Sequence, residues 1–240
     1  EYLAWCDEAL DEGCRRLKIH GFMNFSKDRE LVVAIRRHVD EYMRGKELTD
    51  QVYLALDCEC KFYSFDEAKR MATLLGSLEY EWFEAPLPDR DFEAYADLTR
   101  RSEIDILPGG NSVMDLQSFT DGCKRRCWSR ARFDVTVCGG ITAARKFFAV
   151  AEAHGLRTEI QSWGHTLTAA ANLHVMLGLG GRLGSTHFEL AVPKEIYEVG
   201  MLDTIESTPV SNVEEGGGGV ALGEPVVHAP NSEGLGGLGV

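Results

Sequence analysis

Asp57, Glu84 and Asn111 are separated by equal intervals of 27 residues. Each carries a side-chain oxygen of the kind a hard cation such as Mg2+ accepts, and an octahedral ion keeps open positions for water or substrate. If each interval is one strand–helix unit, the three oxygens stand at the same height on three successive strands. Lys18, His20, Asp134, His165 and Glu189 occupy comparable places where short apolar runs end. Lys18 and His20 differ by two positions, so on a strand they face the same side. Any one of these residues taken alone reads as a solvated loop residue, and the common register is what argues for a site. A solitary histidine is usually structural, which is the reading for His38, His154, His174 and His228, while His187 at the last apolar run stays open.

Positioning such residues requires elements that end on one face. Short apolar runs at 16–20, 52–57, 80–84, 104–108, 132–137, 158–162 and 187–190 predict seven strands. Helical patterns separate them: 3–14, 28–40, a stripe of Ala68, Met71, Ala72 and Leu75 stopped by Gly76, a helix around Phe92, Tyr95 and Ala96, then 113–125, a stripe of Ala144, Phe147, Phe148 and Ala151 stopped by Gly155, and 167–177. This alternation predicts an α/β fold with a parallel sheet, and its even rhythm predicts a closed, TIM-like barrel whose functional residues gather at the C-terminal ends of the strands. A closed barrel needs eight strands, and this chain opens on a helix. The expected architecture is therefore a (β/α)7β barrel without its first strand, over residues 1–200. Residues 201–240 read as an extended tail, with four consecutive glycines at 216–219 and no regular period.

Composition narrows the function. The 240 residues are 44% hydrophobic, enough for a sizeable core. A formal net charge of −13 argues against nucleic acid as a partner. No apolar run approaches the roughly 20 residues of a membrane span, and the expected location is the cytoplasm. Cys6, Cys14, Cys58, Cys60, Cys123, Cys127 and Cys138 are odd in number and scattered, which reads as reduced thiols rather than a disulfide framework or a zinc site.

Several motifs together resemble a known family. They are Leu56-Asp57 after a strand, Trp82-Phe83-Glu84-Ala85-Pro86-Leu87, Gly109-Gly110-Asn111, and Asp134 followed by Cys138-Gly139-Gly140-Ile141-Thr142. This set, spread over nearly the whole chain, resembles the barrel of the enolase superfamily, in its mandelate racemase-like subgroup that includes acid-sugar dehydratases. The resemblance implies that Asp57, Glu84 and Asn111 are Mg2+ ligands. An asparagine at the third position resembles glucarate dehydratase, where many members have a carboxylate. Asp134 and His165 match a His–Asp dyad, in which the carboxylate would orient the imidazole and stabilise its protonated form. Lys18-Ile19-His20 matches a Lys-x-Lys position, with His20 in place of the second lysine, the usual base. Glu189 matches an acidic position that can hydrogen-bond the substrate carboxylate, and Glu59 stands where relatives often carry asparagine. Family members also carry an N-terminal α+β capping domain, and none of it is seen in this sequence.

What the resemblance implies chemically is removal of the proton beside a carboxylate, with Mg2+ stabilising the resulting ene-diolate. The expected substrate is a small carboxylate, an acid sugar, bound through Mg2+ and Lys18. His20 or His165 takes the α-proton, His165 protonates the departing β-hydroxyl, and a 2-keto-3-deoxy acid results. Racemisation or epimerisation by the same two bases is the nearest alternative, and a non-catalytic barrel is another. A cycloisomerase ranks lower, because that group prefers lysines on both sides. A homo-oligomer is expected by analogy with relatives.

Overall fold

The computed structural model describes residues 1–59, 63–111, 113–161 and 166–179, together with the backbone of two strands, Glu189–Ala191 and Val226–His228. Strands and helices alternate: α1 (Tyr2–Asp11), β1 (Arg16–His20), α2 (Phe25–Gly45), β2 (Tyr53–Asp57), α3 (Phe65–Ser77), β3 (Trp82–Glu84), α4 (Phe92–Arg101), β4 (Asp105–Leu107), α5 (Leu116–Arg125), β5 (Arg130–Phe133), α6 (Ile141–Ala153), β6 (Arg157–Ile160), α7 (Thr166–Gly178), β7 (Glu189–Ala191) and β8 (Val226–His228). All pairings are parallel. One sheet has the order β4-β3-β2-β1-β8-β7, and β5 pairs with β6. The two sheets meet where the Ser129 amide donates to the Ile106 carbonyl at 2.9 Å and the Ile106 amide donates to Ser129 Oγ at 3.0 Å. Successive helices pack side by side around the strands. This is the α/β barrel architecture that the alternation predicts.

Helix starts follow from local chemistry. Asn24, Asp91 and Asp115 each accept a hydrogen bond from the backbone amide three residues on, and Ser64 forms a capping box with Glu67. Asp115 thus starts α5 at Leu116, later than the apolar pattern suggests. Gly76 does not stop α3 but lies inside it, where a Cβ would touch Ile104 Cγ2 at 3.4 Å. The chain turns instead at Glu79, whose φ is +58°. The fifth strand also differs from its expected span of 132–137. It ends at Phe133 because the Asp134 carboxylate accepts from the Thr136 and Val137 amides and bends the chain into a turn. Within the tail, Val226–His228 forms a strand between β1 and β7, with His228 opposite Lys18 and Ala191. Three residues are too few to register as a period in the sequence.

The main core lies between the strands and the helices. Phe119, Phe133, Phe147 and Trp128 pack there as neighbouring rings. Side chains on the other face of the strands form a different population. Ala55, Trp82 and Leu107 make a small separate apolar cluster, and charged residues stand on both sides of it. TIM barrels usually fill this space with branched aliphatic layers. Among the described residues none is a helix long and apolar enough to cross a membrane.

Candidate active site

Strand pairing sets the height of the candidate residues. His20 lies opposite Asp57, and Asp57 lies opposite Glu84, so the three stand level at the C-terminal ends of β1, β2 and β3. Lys18 is one inward-facing step below His20. Its ammonium sits between the two carboxylates, 3.2 Å from Asp57 Oδ2 and 3.0 Å from Glu84 Oε2. All three side chains are buried, at 2%, 8% and 2% exposure for Lys18, Asp57 and Glu84, so the charges meet in a low-dielectric setting. The Trp82 indole approaches Glu84 Oε2 at 3.4 Å. Glu84 ends its strand on a strained step: Ala85 takes φ +49° directly before Pro86, held by its amide bond to the Leu107 carbonyl at 2.9 Å.

His20 lies beside this group. Its Nε2 is 3.8 Å from Asp57 Oδ2, and its Nδ1 is 3.2 Å from Glu59 Oε1. Burial pushes the imidazole pKa down, but the charge of Asp57 and the hydrogen bond that the ring donates to the Glu59 carboxylate outweigh it, and the net shift is upward. Burial alone would raise the Asp57 carboxyl. Lys18 first, then His20, the Glu59 amide and Arg132, hold it well below the usual carboxylate range. Glu59 is part of the arrangement through its backbone as well, donating to Asp57 Oδ1 at 3.0 Å from a left-handed conformation at φ +50°.

Asn111 stands apart from this level. The register puts Leu107 opposite Glu84, and Asn111 follows beyond β4, exposed to solvent. The equal spacing of 27 residues therefore does not give equal height. An interval counts helix and loop as well as strand, and the loop after β4 takes up the difference. Asp134 is buried one residue beyond β5, where Oδ1 accepts from the Thr136 amide and hydroxyl, each at 2.7 Å. His165 and His187 lie outside the described residues. Glu189 opens β7, and only its backbone is described.

Two side chains escaped the sequence reading. Arg132, on β5 and 1% exposed, forms an ion pair with Glu84, its Nε 2.9 Å from Oε1. Asn172, fully buried on α7, accepts from the Val135 amide at 2.9 Å and donates to the Thr168 carbonyl, tying the start of α7 to the Asp134 turn. The signal for Arg132 was its even spacing from Arg130 on one strand, which places both on one face. Gly110 accommodates Arg132: at φ +81°, a Cβ there would lie 2.7 Å from Gln161 Oε1 and 3.2 Å from Arg132 Cγ.

Mg2+ is the ion that this family's resemblance implies, and the donor set can be tested for it. One oxygen of Asp57 and one of Glu84 converge on a single point, which a cation, the Lys18 ammonium, already occupies. Two buried carboxylate oxygens aimed at one positive charge suit a hard divalent ion. Among the described residues no three His, Cys, Asp or Glu side chains converge in this way, so a third protein ligand must be a neutral oxygen or come from elsewhere.

Buried charged side chains at the ends of parallel strands define an α/β-barrel protein with a charged mouth. More particularly, residues 1–236 match the model of the enolase C-terminal domain-like family, and the chain belongs to that family. Among curated relatives it is 29% identical over 151 residues to a 3,6-anhydro-alpha-L-galactonate cycloisomerase of Streptomyces coelicolor, covering 62% of this chain and 39% of that protein. Among solved structures it resembles a protein of Pseudovibrio sp. assigned as a mandelate racemase/muconate lactonizing enzyme. That match has 36% identity and a TM-score of 0.70, over 82% of this chain and 50% of the other. The D-glucarate dehydratase of Agrobacterium tumefaciens, solved with magnesium, shares the fold at 24% identity and a TM-score of 0.56, over 67% of this chain and 40% of that one. The chain spans about two-fifths of the length of the curated relative.

Proposed function

We propose that this barrel removes the proton beside the carboxylate of an acid sugar and expels the oxygen substituent at the β-carbon, giving a 2-keto-3-deoxy acid. The observation that carries this reading is the convergence of Asp57 Oδ2 and Glu84 Oε2 on one cation point, with His20 within 3.8 Å of the same Asp57 oxygen. Asp57 and Glu84 would hold Mg2+, with Asn111 contributing its carbonyl oxygen. When bound, the ion supplies the positive charge that stabilises a dianionic ene-diolate.

The chain's own groups divide the remaining work. Lys18, freed from the carboxylates, neutralises the substrate carboxylate. His20 takes the α-proton at one ring nitrogen. Its contacts with Asp57 and Glu59 favour the protonated state that follows. His165, with Asp134 as the partner carboxylate that the family resemblance implies, would deliver a proton to the departing oxygen, and Glu189 would donate a hydrogen bond toward the carboxylate when protonated. Burial of Lys18, Asp57 and Glu84 excludes water and strengthens each of these interactions.

Dehydration is the form this takes when the β-oxygen is a hydroxyl. The likeness to a 3,6-anhydro-alpha-L-galactonate cycloisomerase favours a second form. In a 3,6-anhydro acid the oxygen on C3 is a ring ether, so the same elimination opens the ring and loses no water. The test is incubation of the full-length protein with Mg2+ and a panel of acid sugars and their anhydro forms, scored for 2-keto acid and for product mass. A product lighter by one water supports dehydration, and an isomer supports ring opening. Activity must vanish in chelator and in Glu84→Gln. Full turnover in Glu84→Gln, or return of the substrate epimer with no keto acid, refutes the elimination.

A further inference from the structure

We propose that Arg132 is a positioning residue for the candidate Mg2+ site. It presents a single oxygen of Glu84 to the cation point and holds the site's divalent affinity down. The inference rests on the metal reading above and extends it to a residue outside the ligand set.

The geometry is specific. Arg132 Nε lies 2.9 Å from Glu84 Oε1, while Glu84 Oε2 is the oxygen turned toward Lys18 Nζ at 3.0 Å. The two oxygens of one carboxylate are thus divided between two cations, and Oε1 is withheld from the shared point. The guanidinium is itself held in place. It is 1% exposed, and its side chain passes Gly110 so closely that a Cβ there would sit 3.2 Å from Arg132 Cγ and 2.7 Å from Gln161 Oε1. An arginine cannot shed its charge inside a protein. A divalent ion entering between Asp57 and Glu84 can displace the flexible Lys18 ammonium, but it must share Glu84 with Arg132.

Charge arithmetic gives the consequence. Asp57 and Glu84 carry two negative charges, and Lys18 and Arg132 return two positive ones within hydrogen-bond distance. Asn111 adds none. These four charges cancel before any ion enters, so a divalent ion leaves the group net positive, and the adjoining His20 and Glu59 pair with each other. That state repels free metal and suits a substrate that becomes a dianion during reaction. A fixed positive charge one carboxylate away from a divalent ion weakens its binding by about tenfold or more at interior dielectric values.

The experiment is Mn2+ binding to the full-length protein, read from the free-ion signal in electron paramagnetic resonance, with Arg132→Met and Arg132→Lys beside the wild type. Thermal unfolding establishes that each protein is folded. Arg132→Met should bind Mn2+ about tenfold more tightly or better. Arg132→Lys keeps the charge and should stay within about threefold of wild type. If Arg132→Met binds equally or more weakly while wild type binds, this inference fails and the metal site stands. A parallel gain in Arg132→Lys also overturns it, because charge would then not be the cause. No Mn2+ binding in any of the three proteins overturns the metal reading and this inference with it.

Discussion

Replacing Lys18 by methionine tests the cation point without a substrate. The substitution keeps the length of the side chain and removes the ammonium that lies 3.2 Å from Asp57 and 3.0 Å from Glu84. Two carboxylates on paired strands then face each other at 8% and 2% exposure. Breaking a buried ion pair from one side costs about 3–5 kcal/mol, and Arg132 and His20 remain to compensate, so the lower end, about 3 kcal/mol, is expected in chelator. Mg2+ should restore most of it, since an ion at 100 times its dissociation constant adds about 2.7 kcal/mol. The wild type should gain far less, because Lys18 competes for the same point. The pH dependence has a definite sign. Asp57 has a folded pKa held below its unfolded value, so it contributes stability above the unfolded value and loses it as pH falls through the folded one. Without Lys18 that folded pKa rises, and acid unfolding should begin at a higher pH. Urea unfolding in chelator and in Mg2+ measures each quantity. Equal stability of Lys18→Met and wild type in chelator refutes the compensation argument, and an equal Mg2+ gain in both refutes the shared point.

Three further outcomes are expected. In Gly122→Ala the new methyl lies 2.2 Å from the ring of buried Trp128; overpacking costs about 1–3 kcal/mol and exceeds the roughly 1 kcal/mol gained in helix propensity, so the urea midpoint should fall. Asp28 accepts from the Asn24 amide at 2.9 Å and the Tyr63 hydroxyl at 2.7 Å, and burial holds its carboxyl pKa above the usual value. A raised acid pKa means the folded state keeps its proton longer, so stability relative to Asp28→Asn should decline as pH rises from the unfolded toward the folded pKa, and paired urea titrations across pH 4–7 would show no trend if the assignment is wrong. Arg130→Met removes contacts at 3.1 Å to both Glu81 and Glu159, leaving buried Glu159 with the more distant Arg157 at 3.8 Å; stability should drop by about 3 kcal/mol, while Mn2+ affinity stays within about twofold, because Arg130 opens β5 at the end away from Asp57 and Glu84.

Alternation of strand and helix was legible because each element is amphipathic on its own and needs no knowledge of its neighbours. His20, Asp57 and Glu84 were legible for a related reason: each closes a strand, strand ends in a parallel barrel share one face, and Lys18 lies two residues before His20 on the same side. Asn111 was harder, since its height depends on loop length rather than on strand length. Arg132 was illegible for a different cause. Arg130 and Arg132 alternate with Ala131 and Phe133, a pattern that ordinarily means a strand with one wet face. Here the face bearing the arginines is buried, and only the closed sheet with its partners Glu84 and Glu159 makes that tolerable. The ends of α3 and β5 were misjudged because the deciding contacts, Ile104 against Gly76 and the Asp134 turn, come from the tertiary fold.

The charged interior also explains how the barrel separates stability from chemistry. Toward the N-terminal ends of the strands, Arg130 binds Glu81 and Asp105 and reaches along to Glu159, which lies opposite Arg132, and Arg16 also pairs with Glu81. At the other ends, Lys18 and Arg132 bind Asp57 and Glu84. Among them sits the small apolar cluster of Ala55, Trp82 and Leu107, with Leu107 opposite Glu84 and Trp82 opposite Asp105. Trp82 touches both groups: its ring lies 5.5 Å from the Arg130 guanidinium, and its indole nitrogen approaches Glu84 Oε2 at 3.4 Å. On the proposed reading an ion entering between Asp57 and Glu84 meets Lys18 and Arg132, while Arg130 pairs with Glu81 and Asp105 near the strand starts. On that reading Lys18 can move toward an ion or a carboxylate at the mouth while Arg130 keeps its own pairs with Glu81 and Asp105.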